Sequence, residues 1–124
     1  MANETNKYVI SSILDLLSEI TIPKDVDVSL ILECSKNDKW QIRQSALMAL
    51  GSCATNESRE ALLYYINQDD DTKYKNEITY ANASLGKIGI MEDIPLLEKH
   101  VKSRKRDVCD SAKYAIESIK NKFL

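Results

Sequence analysis

The residue types that carry most enzyme chemistry are scarce in this chain. Its 124 residues include one histidine, His100, and three cysteines, Cys34, Cys53 and Cys109. A single histidine excludes any mechanism that needs a histidine pair, and the sequence has no phosphate-binding loop, no Gly-x-Ser-x-Gly motif and no zinc-ligand spacing. The cysteines form no Cys-x-x-Cys pair, and each lies in an apolar helical pattern, which predicts small buried side chains in a reducing compartment. We therefore expect no catalytic residue, no metal and no cofactor, and we expect His100 at the surface or partly packed.

Two charged clusters have the chemistry to bind a ligand. Asp69–Asp71 offers carboxylate oxygens that suit a divalent cation, although the run has no loop scaffold and is more typical of a solvated linker. The run KHVKSRKR at residues 99–106 could bind phosphate groups through Lys99, Lys102, Arg104, Lys105 and Arg106. The alternative is that the two lysines complement the dipole at a helix C-terminus while the rest forms an exposed turn.

The composition is that of an ordinary soluble domain with an uneven charge. Apolar residues make up 44% and charged residues 29%, and only three glycines and two prolines occur, which favours helices over a turn-rich β fold. The 17 basic and 19 acidic residues give a net charge of −2, which is not typical of a general nucleic-acid binder. Residues 99–124 hold eight basic and three acidic residues, a local charge of +5, so the remainder carries −7. Because no apolar run approaches the ~18 residues of a membrane span and no signal-peptide core is present, we expect a cytoplasmic protein without membrane contact.

The apolar periodicity predicts about seven helices in one domain spanning 1–124. Residues 7–21 form a first, capping helix in which five aliphatic side chains recur at helical spacing: Ile10, Ile13, Leu14, Leu17 and Ile20. Three pairs follow, each with a shorter helix, a polar turn and a longer helix, over residues 26–54, 58–88 and 93–122.

The long helices repeat one pattern. The sequence reads IRQSALMALG at 42–51, EITYANASLG at 77–86 and VCDSAKYAIE at 108–117. The matched alanines Ala46, Ala81 and Ala112 lie 35 and 31 residues apart, a period typical of helical repeat proteins. Small residues at these positions let a neighbouring helix approach, and each pair buries its apolar face only against the next pair.

The segment NDKWQIRQSALMALG, residues 37–51, resembles HEAT repeats, especially the short bacterial type of the phycobilisome lyases. The family pattern is a loop aspartate, then Val-Arg, then alanines and Ala-Leu-Gly, matched here by Asp38, Ile42-Arg43 and the segment 49–51, and GKIG at 86–89 resembles the family's helix end. The second copy has Glu77-Ile78 in place of Val-Arg, and the third lacks both the arginine and the glycine.

The resemblance covers residues 26–122 and implies an all-α, right-handed α-solenoid of helical hairpins. It also implies that Arg43 hydrogen-bonds loop carboxylates between repeats, with Asp38 or Asp69–Asp71 as candidates. The resemblance does not extend to the enzymatic activity of the HEAT-like deoxyhypusine hydroxylases, because their His-Glu metal ligands are absent from this sequence.

In a HEAT stack the second helix of each pair lines the concave side. We define the candidate partner-binding ridge as the residues of these second helices that are predicted to face away from the core, together with Trp40 at the edge of the preceding turn. Its nine residues are Trp40, Gln44, Met48, Thr79, Tyr80, Lys87, Asp110, Tyr114 and Glu117. Tyrosine and methionine are enriched at protein interfaces. The alternatives are that Tyr80 and Tyr114 cover seams between adjacent helices and that Trp40 packs over its own helix pair.

These patterns favour a non-catalytic protein-binding module that acts through the ridge. A dedicated inhibitor, such as a bacterial immunity protein that neutralises a toxin or nuclease domain, and a small adaptor are two forms of this hypothesis. The alternative is nucleic-acid binding through residues 99–106. An enzyme is the least favoured class, with Asp110, Glu117 and Cys109 as its best candidates. We expect a protein partner, with a toxin domain as one candidate, and a monomer or weak dimer.

Overall fold

The computed structural model describes residues 4–123, with side chains from residue 8 onward. This part of the chain contains seven α-helices, one short 3-10 turn at Met91–Asp93, and no β-strand. The helices are α1 (Glu4–Ser18), α2 (Ser29–Cys34), α3 (Trp40–Leu50), α4 (Asn56–Ile66), α5 (Lys75–Ile88), α6 (Ile94–Val101) and α7 (Arg106–Phe123). The predicted all-α class is confirmed.

The largest departure from the predicted helix bounds lies around α1 and α2. Helix α1 begins and ends three residues earlier than the predicted 7–21. Helix α2 has only six residues and starts after Asp27, whose carboxylate accepts the backbone N–H of Ser29 at 2.9 Å. The connection is fixed to the end of α3, where the Ile22 N–H donates to the Ser52 carbonyl at 2.8 Å.

Four helices pack in sequence, α1 on α3, α3 on α5 and α5 on α7. We call them the long helices, because α3, α5 and α7 are each longer than the helix that precedes them. Each short helix packs on the long helix that follows it, α2 on α3, α4 on α5 and α6 on α7. Aliphatic side chains from both sets are completely buried between them, including Leu47, Leu50, Leu62, Leu85 and Leu97. The core therefore lies between the short and the long helices.

Two buried polar side chains tie the ends of successive short helices together. The Tyr65 hydroxyl on α4 donates to the Ser35 carbonyl after α2 at 2.6 Å, and the His100 Nε2 on α6 lies 2.5 Å from the Ile66 carbonyl at the end of α4. The last carbonyls of a helix have no partner within it, so these side chains satisfy groups that burial would otherwise leave unpaired. Burial also raises the pKa of the Tyr65 hydroxyl, which keeps it a donor.

Small residues set the distance between the long helices. A methyl group on Gly51, at the end of α3, would lie 2.8 Å from the Cβ of Ser84 on α5. A methyl group on Gly86 of α5 would likewise lie 3.1 Å from the Cα of Ala115 on α7. The Ser84 hydroxyl also donates to the Leu47 carbonyl at 2.6 Å. The glycine of one repeat thus meets the small residue of the next, which is the contact that the repeated sequence pattern encodes.

We predict that Gly51→Ala lowers the free energy of unfolding by about 1–3 kcal/mol, because the added methyl group overpacks the contact with Ser84. The sign of this change in the free energy of unfolding tests the contact. Without the close neighbour, replacing a glycine that has ordinary helical dihedral angles by alanine normally stabilises a helix by roughly 0.5–1 kcal/mol. Urea denaturation of Gly51→Ala, Ser84→Gly and the double variant measures the coupling between the two sites. A neutral or stabilising Gly51→Ala, or additive effects in the double variant, would contradict the close approach.

Candidate interaction surfaces

His100 is buried, with 4% of its surface exposed, so the prediction of a surface or partly packed position is wrong. The reason is its hydrogen bond to the Ile66 carbonyl, 34 residues away in the chain. With Nε2 facing this acceptor, the ring acts as a structural donor between α4 and α6.

The carboxylates of Asp69–Asp71 are occupied by donors from the protein. Asp69 pairs with the Lys99 ammonium at 3.1 Å, and the Asp71 carboxylate accepts the Ser103 hydroxyl. Asp70 accepts the backbone N–H groups of residues 72 and 73 at 3.1 and 2.9 Å. The run thus fixes the turn before α5 to the end of α6. Among the described residues, no group of three or more His, Cys, Asp or Glu side chains could hold a metal ion.

The cysteines lie in surroundings that do not activate a thiol. Cys53 is completely buried, and the Cys109 thiol contacts the Val101 carbonyl at 3.2 Å. Burial raises the pKa of the half-buried Cys34 thiol, and the charge of Glu33 raises it further. A raised pKa disfavours the thiolate, the form that acts as a nucleophile.

We predict that Cys34 reacts with iodoacetamide more slowly than free cysteine at about pH 7.5, because less of it is thiolate. Its rate should continue to rise as the pH passes 9, the ordinary thiol value. The measurement uses the Cys109→Ser protein, with Cys34→Ser/Cys109→Ser as the control for labelling at buried Cys53, and mass spectrometry to locate the adduct. A rate that reaches its plateau below about pH 8 would reveal an activated thiol instead.

The Arg43 side chain connects the turn before α3 to helix α5. Its Nη1 donates to the backbone carbonyls of Asn37 and Asp38 at 2.9 and 3.0 Å, and its Nη2 lies 3.9 Å from the Glu77 carboxylate on α5. The guanidinium therefore meets backbone carbonyls where the resemblance implies loop carboxylates. Glu77, which departs from the repeat pattern, supplies the carboxylate.

The nine ridge residues all lie on the three long helices α3, α5 and α7, which pack in that order. Five of them are exposed: Trp40, Lys87, Asp110, Tyr114 and Glu117. The other four are half-buried: Gln44, Met48, Thr79 and Tyr80. The Tyr80 side chain packs partly against the core, and the Thr79 hydroxyl donates to the Lys75 carbonyl at 2.7 Å. The large apolar side chains that the ridge exposes are thus the aromatic rings of Tyr114 and Trp40, which are 66% and 53% exposed.

Helix packing divides the basic run at residues 99–106. Lys99 and Lys102 line a groove of about 780 Å³ between α6 and α7, whereas residues 104–106 form the turn and the start of α7. Arg104 and Arg106 are exposed and Lys105 is half-buried. The Arg106 guanidinium lies 3.7 Å from the carboxylate of Asp110, both exposed, a pair of little energetic weight.

The groove brings together lysines that are distant in the sequence. Lys113 and Lys120 of α7 line it beside Lys99 and Lys102, together with the carboxylates of Glu98 and Glu117. Lys113 and Lys120 were not among the residues predicted to bind phosphate, although their spacing of seven residues places them on one helix face. Glu117, predicted to lie on the ridge, lines the groove wall.

A cluster of three tyrosines lies beside Arg43, and none of them was a candidate site residue from the sequence. The rings of Tyr64 and Tyr65 meet edge to face at 5.0 Å between centroids, and Tyr74 packs on Tyr65 at 6.3 Å. The Lys73 ammonium lies 5.1 Å from the Tyr74 ring centroid. The cluster fills the junction of α4 with the turn before α5 and is anchored by the buried Tyr65.

No protein-family model matches the chain, and neither the curated proteins nor the solved structures contain a match to it. Within residues 4–123, no helix has the length and apolar character that crossing a bilayer requires.

Proposed function

We propose that this chain is a non-catalytic protein-binding module, built as a right-handed HEAT-like solenoid, that holds its partner on the ridge of α3, α5 and α7. The observation that carries the proposal is the exposure of Tyr114 and Trp40 on the same set of packed helices. Large aromatic side chains held in place by a rigid helix are typical anchors of protein interfaces.

The residues that could take part in catalysis have structural contacts instead, which supports a binding role over a catalytic one. His100 and Asp71 hold helices together, and the pKa of Cys34 is raised rather than lowered. The residues named as the best enzyme candidates are not held close to one another by hydrogen bonds. Asp110 and Glu117 are exposed, and the Cys109 thiol contacts a backbone carbonyl.

The charge distribution suits a basic partner. Residues 1–98 carry −7, so a basic toxin or nuclease domain would be attracted to most of the molecule. An immunity protein that neutralises such a domain in the cytoplasm is one form of the proposed function, and a small adaptor is the other.

We predict that Trp40→Ala and Tyr114→Ala each weaken binding of the partner at least tenfold, since truncating an aromatic hot-spot residue typically costs about 2 kcal/mol or more and about 1.4 kcal/mol is a factor of ten. The partner is the protein retained by the tagged chain from a lysate of the source cell after nuclease treatment. Calorimetry with the purified partner then measures the dissociation constants.

The matched control is Tyr64→Ala, which removes a tyrosine about as exposed as Trp40, 52% against 53%, from a short helix on the other side of the core. Circular dichroism checks that all three variants fold. Unchanged affinity in both ridge variants, or an equal loss in Tyr64→Ala, would show that the ridge is not the binding surface.

The alternative function, nucleic-acid binding, is favoured by one observation, the four lysines that line the α6–α7 groove. Clustered ammonium groups bind phosphates and release counterions, so the affinity falls steeply with salt.

If this function holds, a short DNA duplex is retained on a filter at low salt, and its affinity falls with a log–log slope set by the number of phosphates contacted. Lys102→Glu/Lys113→Glu would then abolish retention, because both side chains line the groove. Lys24→Glu/Lys36→Glu makes the same charge change at exposed sites elsewhere and should retain more of the duplex. No retention by the unmodified protein would exclude the alternative.

A further inference from the structure

Helix α1 is apolar on two sides, and only one of them is covered. Leu14, with the partly buried Ile10 and Leu17, faces the core. A second stripe recurs at intervals of four, three and four residues along α1 and just past its end, and every member is about half exposed or more: Val9, Ile13, Leu16 and Ile20. A helix on a protein surface normally has polar residues on the side away from the core. The second stripe is therefore an apolar face without a partner within the described chain.

Two members of this stripe, Ile13 and Ile20, lie on one wall of an apolar groove between α1 and α2, beside Ile10, Leu14 and Leu17. The groove has a volume of about 600 Å³, and its other wall carries Leu30 and Val26. Leu30, the second residue of the six-residue helix α2, is 76% exposed. Contiguous exposed aliphatic surface of this kind marks interaction sites on soluble proteins.

The packing of the other helices indicates that the occupant is a helix. The long helices α3, α5 and α7 each have a short helix packed on them, α2, α4 and α6, whereas α1 has none among the described helices. A helix in the groove would lie on α1 and beside α2, as α4 lies on α5 and reaches the end of α2 through Tyr65. Helix-in-groove binding uses an apolar stripe of the same period.

The charges around the groove indicate the sign of the occupant's flanks. From the end of α1 to the end of α2 the chain exposes four carboxylates, those of Glu19, Asp25, Asp27 and Glu33. Hydrogen bonds from the Ser29 hydroxyl and backbone N–H lower the pKa of Asp27, so it is ionised at neutral pH. Of these four, Asp27 lines the groove itself, and the single lysine of this segment, Lys24, borders the same neighbouring cavity as Glu19. With four carboxylates and one lysine, residues 19–34 carry a net charge of −3. Complementary charge would come from lysine or arginine.

A second copy of the chain fits the groove poorly. Two grooves facing each other would bring the carboxylates of both copies together. The α7 end of another copy presents lysines, with Tyr114 and Phe123 as the large exposed apolar residues of that helix. The first arrangement brings like charges together, and the second offers two aromatic rings, rather than a stripe of aliphatic side chains, to an aliphatic groove.

From the unpartnered stripe, the groove and its acidic surroundings, we propose that the α1–α2 groove binds a basic amphipathic helix of a partner protein. This surface is distinct from the ridge, so it stands or falls independently of the ridge hypothesis.

The test uses a designed helical peptide of about 15–18 residues, long enough to run along α1, with leucines at every third or fourth position and lysines on both flanks. The control peptide has the same leucines and glutamates in place of the lysines. Fluorescence anisotropy measures both affinities, and protection of Cys34, which lines the groove, from alkylation locates the bound peptide.

We expect the basic peptide to bind with a micromolar or lower dissociation constant, at least tenfold more tightly than the acidic one, and to protect Cys34. Leu30→Lys should weaken binding at least tenfold, because it places a charge on the groove wall without disturbing the core. Met91→Lys is the matched control, an exposed apolar residue outside the groove. Glu19→Lys/Glu33→Lys should reverse the preference between the two peptides.

Three results would overturn the proposal. The first is no binding of the basic peptide, and the second is equal binding of the two peptides or equal effects of Leu30→Lys and Met91→Lys. The third is sedimentation of the unliganded protein as a dimer that Leu30→Lys, but not Met91→Lys, dissociates, since the occupant would then be a second copy. Retained peptide binding in Tyr114→Ala would keep this proposal intact even if the ridge hypothesis failed.

Discussion

The close approach of the long helices at small residues is the contact on which the rest of the structure depends. Gly51 against Ser84 and Gly86 against Ala115 repeat one arrangement, in which the last glycine of one helix meets a small residue of the next. The hydrogen bond from Ser84 to the Leu47 carbonyl fixes the same pair of helices. Because the long helices touch at these points, their outward residues lie in neighbouring lines. Any ridge on α3, α5 and α7 exists only because of this contact.

Helices α1 and α7 lie at opposite ends of the described row of packed helices, and the two differ in chemistry. At α7 the end is polar, with Lys113, Lys120 and Glu117 facing the groove beside α6. At α1 the end is aliphatic, with Leu16 and Leu30 exposed. A polar terminal face suits contact with water, as in the capping repeats of helical repeat proteins. The aliphatic face at α1 has no such explanation.

The helices could be predicted from the sequence because their signal is local. Aliphatic residues at helical spacing, polar turns and the alanines Ala46, Ala81 and Ala112 indicate which segments are helical and which positions are small. The small residues required by the helix contacts were visible in the repeat for the same reason. Whether these helices form a right-handed HEAT-like solenoid remains a prediction of the resemblance.

Features that depend on distant residues could not be predicted. Periodicity placed Ile13 and Ile20 on an apolar face, but it cannot show whether a partner covers that face, and both are exposed. The acceptor of His100 lies on another helix, so its burial had no local signal.

The candidate surfaces also combine features with a local signal and features that depend on distant residues. Exposure of Tyr114 agrees with a position on the outer side of its helix, whereas the partial burial of Tyr80 depends on the neighbouring core. Lys113 and Lys120 join Lys99 and Lys102 only because α6 packs on α7. The sequence could thus indicate which faces point outward, but not which of them meet.

Hydrogen exchange of the chain with and without its purified protein partner tests the central claim most directly, because it shows which amides the partner shields. The account predicts that a protein partner slows exchange along α3, α5 and α7, with the strongest effect near Trp40 and Tyr114. Protection confined to the turn at residues 102–106 and the α6–α7 groove, or protection by nucleic acid alone, would contradict it.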